Sequence, residues 1–492
     1  MEAITDPDGI TSTALLNCLH REVGQRTGDM IRLPRTGTQL RVRQGRWLSD
    51  PEVFSGSWQP ITWHELAVLI TKELGDPPIG FLDEIAGSRS AIAAILDARG
   101  EAPADLYQRS EQALIAGHRY HPAPKGRGGL PAREWLPYSP EVHTAFSLAH
   151  LEGSFIDDGD VSLLPAGVLL AHPLQLSLLG IAPEVADHEV WPTSSVRTVY
   201  DPAADLFYKF SLDVQITNDV RRLWAHDLRW IPPLARVLSP VFSDIASTYP
   251  GTAFLIDRGY RTSPDSFEGL AVVVRDGIRR HTMPGVTPLL AAGISEGFDG
   301  NPLDGLSRED ALRWFRKYVS VIVPPVLHAF FAHGVVMECH LQNVLVGVDA
   351  SGMPVQAFYR DHEGMRLLES HHGPLLSEVD ADGRGVSEAK GWERLQYCLV
   401  VNHLTEIAGA VLDRHPGLDV WAEAAEVFVA YAQDHGSPAL LASLFESPSV
   451  PAKANLLLRW TRAEGAASTY VNFPNPLYRN WPDSLTCLSR RQ

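Results

Sequence analysis

The sequence predicts an α+β protein in three regions, and three observations carry that expectation. The chain has 492 residues, more than one ordinary hydrophobic core serves, so two or three lobes are expected. Apolar residues recur at helical spacing near both ends of the chain. Between them lie short β-like runs bounded by turn residues.

Residues 1–155 read as an N-terminal helical lobe. "ITWHELAVLITKEL" and "SRSAIAAILDAR" carry the helical pattern, and a loop rich in Pro, Gly and basic residues follows at 117–131. Residues 156–307 read as a mixed, β-rich lobe, with "VRTVYD", "LFYKFSLDVQIT", "GTAFLID" and "LAVVVRD" as its strands. Residues 308–492 return to helices in "REDALRWFRKYVSVI", "EAKGWERLQYCLVVNHLTEIAGAVL" and "VWAEAAEVFVAYAQ". Set among those helices, "VVMECHLQNVLVGVD" and "VQAFYRD" read as a hairpin joined by "ASGMP". Two uncharged runs, 161–183 and 319–337, contain His and Pro and read as core rather than membrane spans.

The composition, 45% hydrophobic and 21% charged, is that of a soluble globular protein. A net charge of −17 argues against a nucleic-acid-binding surface, so any anion site must be a local basic cluster. Cys18, Cys339, Cys398 and Cys487 show no paired spacing, which argues against a disulfide framework or a thiolate zinc site. The N-terminus lacks a signal pattern, and a cytoplasmic location is expected. There is no GxxxxGK[ST] loop, strand-linked GxGxxG, HExxH or GxSxG elbow.

Four stretches carry chemistry. In "GVVMECHLQNVLV", Glu338, His340, Gln342 and Asn343 interrupt an apolar run. On a strand the first three share one face, and burying them costs several kcal/mol unless each finds a partner. Asn343, with Asp361 and Glu363 of "YRDHEG", offers hard oxygen ligands for Mg²⁺. A metal-bound nucleotide uses such a pair of segments. "SSVRTVYDPAADLFYKFSLDVQITNDVRR" presents Ser195, Arg197, Thr198, Lys209, Thr217, Arg221 and Arg222, the mixture of hydroxyls, point charges and forked donors that polyphosphate needs. "GHRYHPAPKGRGG" adds His118, His121, Lys125 and Arg127, able to receive carboxylates or phosphates. Its His-x-x-His spacing has no third zinc ligand nearby. Lys453 opens the apolar helical run of "PAKANLLLRW". The Asn343/Asp361 pair would serve a kinase-like phosphotransferase as well as a ligase.

Taken in order, these stretches resemble the IucA/IucC family of siderophore synthetases, those independent of nonribosomal peptide synthetases. The pattern reads GHRYHPAPKGRGG, SSVRT, Lys209 with Thr217 and Arg221, ECHLQN, RDHEG, and PAKANLLLR followed by NPL. A weaker element, AHPLQ, has Leu174 where the family carries Trp, and Ala116 stands where an acidic residue is common. The resemblance implies a hand-like fold of thumb (shortened here), fingers and palm, with a distantly kinase-like ATP cleft and a homodimeric assembly. It implies ATP- and Mg²⁺-dependent adenylation of a citrate-like acid, then condensation with an amine, hydroxylamine or alcohol.

By matching positions, Ser195, Arg197, Thr198 and Lys209 would contact ATP phosphates, and Arg221 would lie between phosphate and carboxylate. Glu338, His340, Gln342 and Asn343 would line the nucleotide and reaction centre, with His340 on the carboxylate. His118, Lys125, Thr217 and Lys453 would bind the acid. Asn343, Asp361 and Glu363 would hold Mg²⁺.

Overall fold

The computed structural model describes residues 6–182, 184–216, 219–378, 383–436, 438–461 and 469–478. The first helix, Pro7–Glu22, begins where Asp6 accepts hydrogen bonds from the Asp8 and Gly9 amides and Pro7 supplies a preset φ. It is followed by an antiparallel meander of five strands: Gln25–Thr27, Met30–Arg32, Gln39–Arg43, Ser49–Phe54 and Trp58–Pro60. This corrects the expectation of a helical lobe. The strands are three to six residues long, too short for their alternation to stand out, although Leu40 and Val42 do alternate inward.

The two predicted helices form as Trp63–Leu74, with a Thr62/Glu65 capping box, and Phe81–Ala98. Their Leu66, Ile70 and Ile85 pack with Leu15, Leu19 and Leu40. Leu456, from the late helix Asn455–Thr461, closes the same core, so the two ends of the chain are packed together.

Among the described residues the middle region builds an eight-stranded sheet. Its order is Ile156–Gly159, Asp257–Ser263, Ser266–Asp276, Leu206–Phe210, Thr198–Asp201, Glu184–Pro192, Phe146–Glu152, Val168–Ala171. Thr198 pairs with Lys209, and Lys209 with Val273 on the other side. The long helix Ala225–Thr248 leaves this sheet.

A smaller sheet carries the C-terminal region, in the order Thr252–Phe254, Pro354–Tyr359, Val344–Val348, Thr287–Leu290. The hairpin across "ASGMP" therefore forms, but two strands from earlier sequence complete it. The helix Arg308–Phe331 lies against it, burying Trp314, Phe315 and Tyr318. Residues Glu388–Arg414 form one continuous helix, whose segment Gln396–Leu404 has π geometry. It is the one described helix long and apolar enough to cross a membrane, yet 78% of its most apolar window is buried inside the fold.

The strand reading of 338–342 does not hold. Strand Val335–Val336 ends at once, residues 337–343 form an irregular connection, and the next strand begins at Val344. The Asn343 amide turns back to the His340 carbonyl, 2.9 Å away. The loop lets Glu338 pair with Arg394 and Asn343 Nδ2 donate to the Glu338 carbonyl, whereas a strand would force alternation. Lys453 also shifts: it ends the strand Ser449–Lys453, two residues before the Asn455–Thr461 helix begins.

Candidate active site

One half of the candidate site is built on the hairpin Thr198–Asp201/Leu206–Phe210. Lys209, buried on its strand, places Nζ 2.7 Å from Asp361 Oδ1 and 2.5 Å from Glu363 Oε2. Arg275, on the adjacent strand, forks onto Asp257 and donates to Asp361 Oδ1 at 2.9 Å. Burial opposes the charge on Glu363, but Lys209 and Arg197 outweigh it and hold the carboxyl down at about 2. Against the same burial penalty, Lys209 and Arg275 hold Asp361 well below the ordinary range. Both carboxylates are therefore anionic. Asp361 also has a left-handed backbone (φ 65°), the kind of strain that collects at functional sites.

The SSVRT turn packs beside this cluster. Val196, a β-branched residue, is held at φ 69°, and the Arg197 amide donates to the Ser195 carbonyl at 2.8 Å. The Arg197 guanidinium donates to the carbonyls of Arg221 and Arg222, 3.1 Å each. The Ser194 amide donates to Glu111 Oε2 at 3.1 Å, and Arg360 pairs with the same buried Glu111 carboxylate. One carboxylate thus ties the SSVRT turn to the start of RDHEG.

The connection 337–343 forms the next wall. Asn343 Nδ2 donates to the Glu338 carbonyl at 3.1 Å, and the Gln342 carbonyl accepts from Arg360 Nε at 3.1 Å. Glu338 Oε1 pairs with Arg394 at 2.7 Å. A Cβ on Gly364 would overlap the Glu338 carboxylate, which accounts for the glycine of RDHEG. The donor set of Asp361, Glu363 and Asn343 is oxygen-rich and anionic, and it fits Mg²⁺.

Beyond Glu338 lies a group of basic, largely buried side chains. Burial keeps His118 neutral, down at about 3, with His121, Arg21, His340 and Lys453 adding to the effect. Burial also lowers His340, opposed by Glu338 and Asp361. It lowers Lys453 as well, against the pull of Glu338 and in the same direction as Arg394 and Arg221. Arg21, in the last turn of Pro7–Glu22, stacks over Tyr120 at 3.3 Å. The Nε atoms of Arg21 and Arg394 are buried with no hydrogen-bond partner among the described residues. Buried cationic donors left unpaired suit an anionic ligand.

Of the predicted residues, Lys209, Asp361 and Glu363 meet directly, with Ser195, Arg197 and Thr198 on the adjoining turn and strand. His118, His340, Lys453 and Arg221 are coupled in that basic group. Lys125 is spent elsewhere: it is buried in an ion pair with Glu141, which Arg127 and Ser139 share. His172 of AHPLQ caps a helix, and Gln175 donates to the Gly269 carbonyl at 2.9 Å, so that motif joins the fold together. Thr217 lies outside the described residues. The sequence reading missed Arg21, Arg394 and Arg275. Only Arg275 left a local signal, a charge at the end of the apolar run "LAVVVRD". A separate cavity of about 580 Å³, lined by Gly80, Glu84, Arg127, Trp135 and Arg459, takes in Arg127 but no other candidate residue.

Comparison with known proteins bears on family and fold. The model described as "IucA / IucC family" matches residues 106–152 and 169–296. That described as "Ferric iron reductase FhuF-like transporter" matches 312–468. An L-2,3-diaminopropanoate–citrate ligase of Staphylococcus aureus is 27% identical over 440 residues, covering 76% of this chain and 75% of the relative. The rhizobactin siderophore biosynthesis protein RhbC of Rhizobium meliloti is 28% identical over 485 residues, 82% of each. The chain is thus similar to the IucA/IucC family.

Its α+β fold matches a solved family structure, the ATP-bound aerobactin synthetase IucA of Klebsiella pneumoniae. The TM-score is 0.80 at 18% identity, over 96% of this chain and 99% of that one. The residues matched by the first model carry SSVRT, Lys209 and Arg275. Those matched by the second carry the 337–343 connection, Asp361 and Lys453.

Proposed function

We propose that the chain is an ATP-dependent ligase of siderophore biosynthesis. It activates one carboxylate of a citrate-like acid as an acyl-adenylate and transfers the acyl group to an amine, hydroxylamine or alcohol. The observation that carries this reading is the apposition of two basic sites across the 337–343 connection. On one side stand Lys209, Arg197 and Arg275 with the Asp361 and Glu363 carboxylates. On the other stand His118, His340, Lys453, Arg21 and Arg394.

Joining a carboxylate to an α-phosphate brings two anions together. The enzyme must therefore supply preorganised positive charge on both partners in a site closed to water. Ser195, Arg197, Thr198 and Lys209 are suited to the polyphosphate. Arg221, Lys453 and neutral His340 are suited to the acid. Asn343, Asp361 and Glu363 would hold Mg²⁺, which supplies charge neutralisation on the nucleotide.

A carboxylate oxygen attacks the α-phosphorus and pyrophosphate leaves. The nucleophile then adds to the carbonyl carbon and AMP departs with that oxygen. No enzyme nucleophile is needed, and burial pushes the Cys339 and Cys398 thiols up, the latter to about 12.

The relatives are named for citrate and for small amines, such as diaminopropanoate and spermidine, which favours that substrate class here. A hand-like arrangement of thumb, fingers and palm, and a cytoplasmic setting that keeps Cys18, Cys339 and Cys398 as free thiols, complete the proposal. The test is a pyrophosphate-release screen of tricarboxylic and 2-oxo acids against amines and hydroxylamines with ATP and Mg²⁺. Release that requires both acid and ATP supports the reading. ADP as the nucleotide product would overturn the reading.

A further inference from the structure

On the side of the fold where two long helices meet, three side chains outside the synthetase site converge. Asp244 lies near the end of helix Ala225–Thr248, His328 in the last turn of Arg308–Phe331, and His333 in the turn that follows. Asp244 Oδ2 is 2.8 Å from His333 Nε2 and 3.2 Å from His328 Nε2. The three potential ligand atoms all lie within 4.8 Å of one another. With metal–ligand bonds of roughly 2.0–2.1 Å, neighbouring donors of a tetrahedral site stand about 3.3 Å apart, so the set needs only small rotations to close on an ion.

We propose that Asp244, His328 and His333 bind one divalent late first-row transition metal, of the zinc type, at a site distinct from the synthetase centre. Two imidazoles and one carboxylate select against Mg²⁺ and Ca²⁺, which take oxygen ligands. The Asn343, Asp361 and Glu363 set has the opposite preference. The chain thus carries one hard-oxygen set and one imidazole set.

The surroundings suit a bound ion. His328 is nearly enclosed at 12% side-chain exposure, whereas Asp244 is 51% exposed, which leaves an entry path. The Tyr249 ring packs edge-on against His328 at 5.4 Å, and the His435 ring stands 5.6 Å from it, forming an aromatic wall on one side. The His333 carbonyl is fixed by His372 Nε2 at 2.8 Å, which orients its turn. An ion here clamps the 225–248 and 308–331 helices together. Because His333 stands two residues before strand Val335–Val336, the ion also anchors the lead-in to the 337–343 connection.

The experiment uses tag-free full-length protein, stripped with chelator and titrated with Zn²⁺ against a chromophoric indicator. Co²⁺ serves as the absorbing probe of coordination. The expected result is one equivalent bound with Kd at or below about 1 μM, unaffected by millimolar Mg²⁺, together with a Zn²⁺-dependent rise in melting temperature. His333→Ala and Asp244→Asn, on different elements, should each weaken binding at least about tenfold and abolish the melting shift. His435→Ala, outside the ligand set, should retain both. Unchanged binding in His333→Ala and Asp244→Asn would place the metal elsewhere and overturn the proposal. Absence of a tight equivalent in the parent protein would overturn it too.

Discussion

Lys209 Nζ lies 2.7 Å from Asp361 Oδ1, although 152 residues separate them. The contact joins the Thr198–Phe210 hairpin to the RDHEG segment and concentrates charge there. Removing one member of a buried ion pair strands the other. Lys209→Met should therefore cost on the order of 3 kcal/mol, the low end for a buried pair because Asp361 is one-third exposed. Thermal protection by ATP with Mg²⁺ should vanish in the variant. Denaturant unfolding checks the first claim, and a loss below about 1 kcal/mol would reduce the pair to a surface contact.

Arg221 is assigned to the meeting point of phosphate and carboxylate. Arg221→Ala should lower acid-dependent pyrophosphate release at least about a hundredfold, as loss of one charge-stabilising donor does, while circular dichroism stays unchanged. Near-normal turnover would remove Arg221 from the reaction.

Lys453 stands with Arg394 and Glu338 in the basic group, far along the chain from the ATP motifs. Lys453→Ala should raise the KM for the acid about tenfold or more, with the KM for ATP little changed. Steady-state kinetics with each substrate varied separates the two, and an effect confined to ATP contradicts the assignment.

Glu22 accepts hydrogen bonds from the Leu456 and Leu457 amides at 3.1 and 2.8 Å, tying the first helix to the segment after Lys453. Burial raises its carboxyl from 4.5 to about 7, those amides opposing in part. A carboxyl raised in the folded state binds its proton more tightly there than in the unfolded chain. Its contribution to stability is therefore full below pH 4.5 and falls as pH rises towards 7. Glu22→Gln should flatten that part of the stability–pH curve. Equal slopes in melting temperature between pH 4.5 and 7 for parent and variant would contradict it.

The predicted motifs were legible because hairpins and short connections bring close what the chain keeps near: Thr198 and Lys209 are direct strand partners. Arg21 and Arg394 were not legible. Each sits on an ordinary helix and gains its role only when distant elements pack, Arg21 over Tyr120 and Arg394 on Glu338. The strand reading of Glu338–Gln342 failed for a related reason. Alternation in sequence is not alternation in space here, because 337–343 is a loop in which Glu338 turns to Arg394 and Asn343 to the Glu338 carbonyl. The ion pair of Lys125 was not legible, because its buried partner, Glu141, lies outside the basic loop.

The central claim is that ATP activates the acid at its α-phosphate. The most direct measurement uses citrate labelled with ¹⁸O in its carboxylates, an amine acceptor, ATP and Mg²⁺, with mass spectrometry of the nucleotide and phosphate products. The account predicts AMP carrying one ¹⁸O from the acid, with unlabelled pyrophosphate. Label appearing in inorganic phosphate alongside ADP would contradict it.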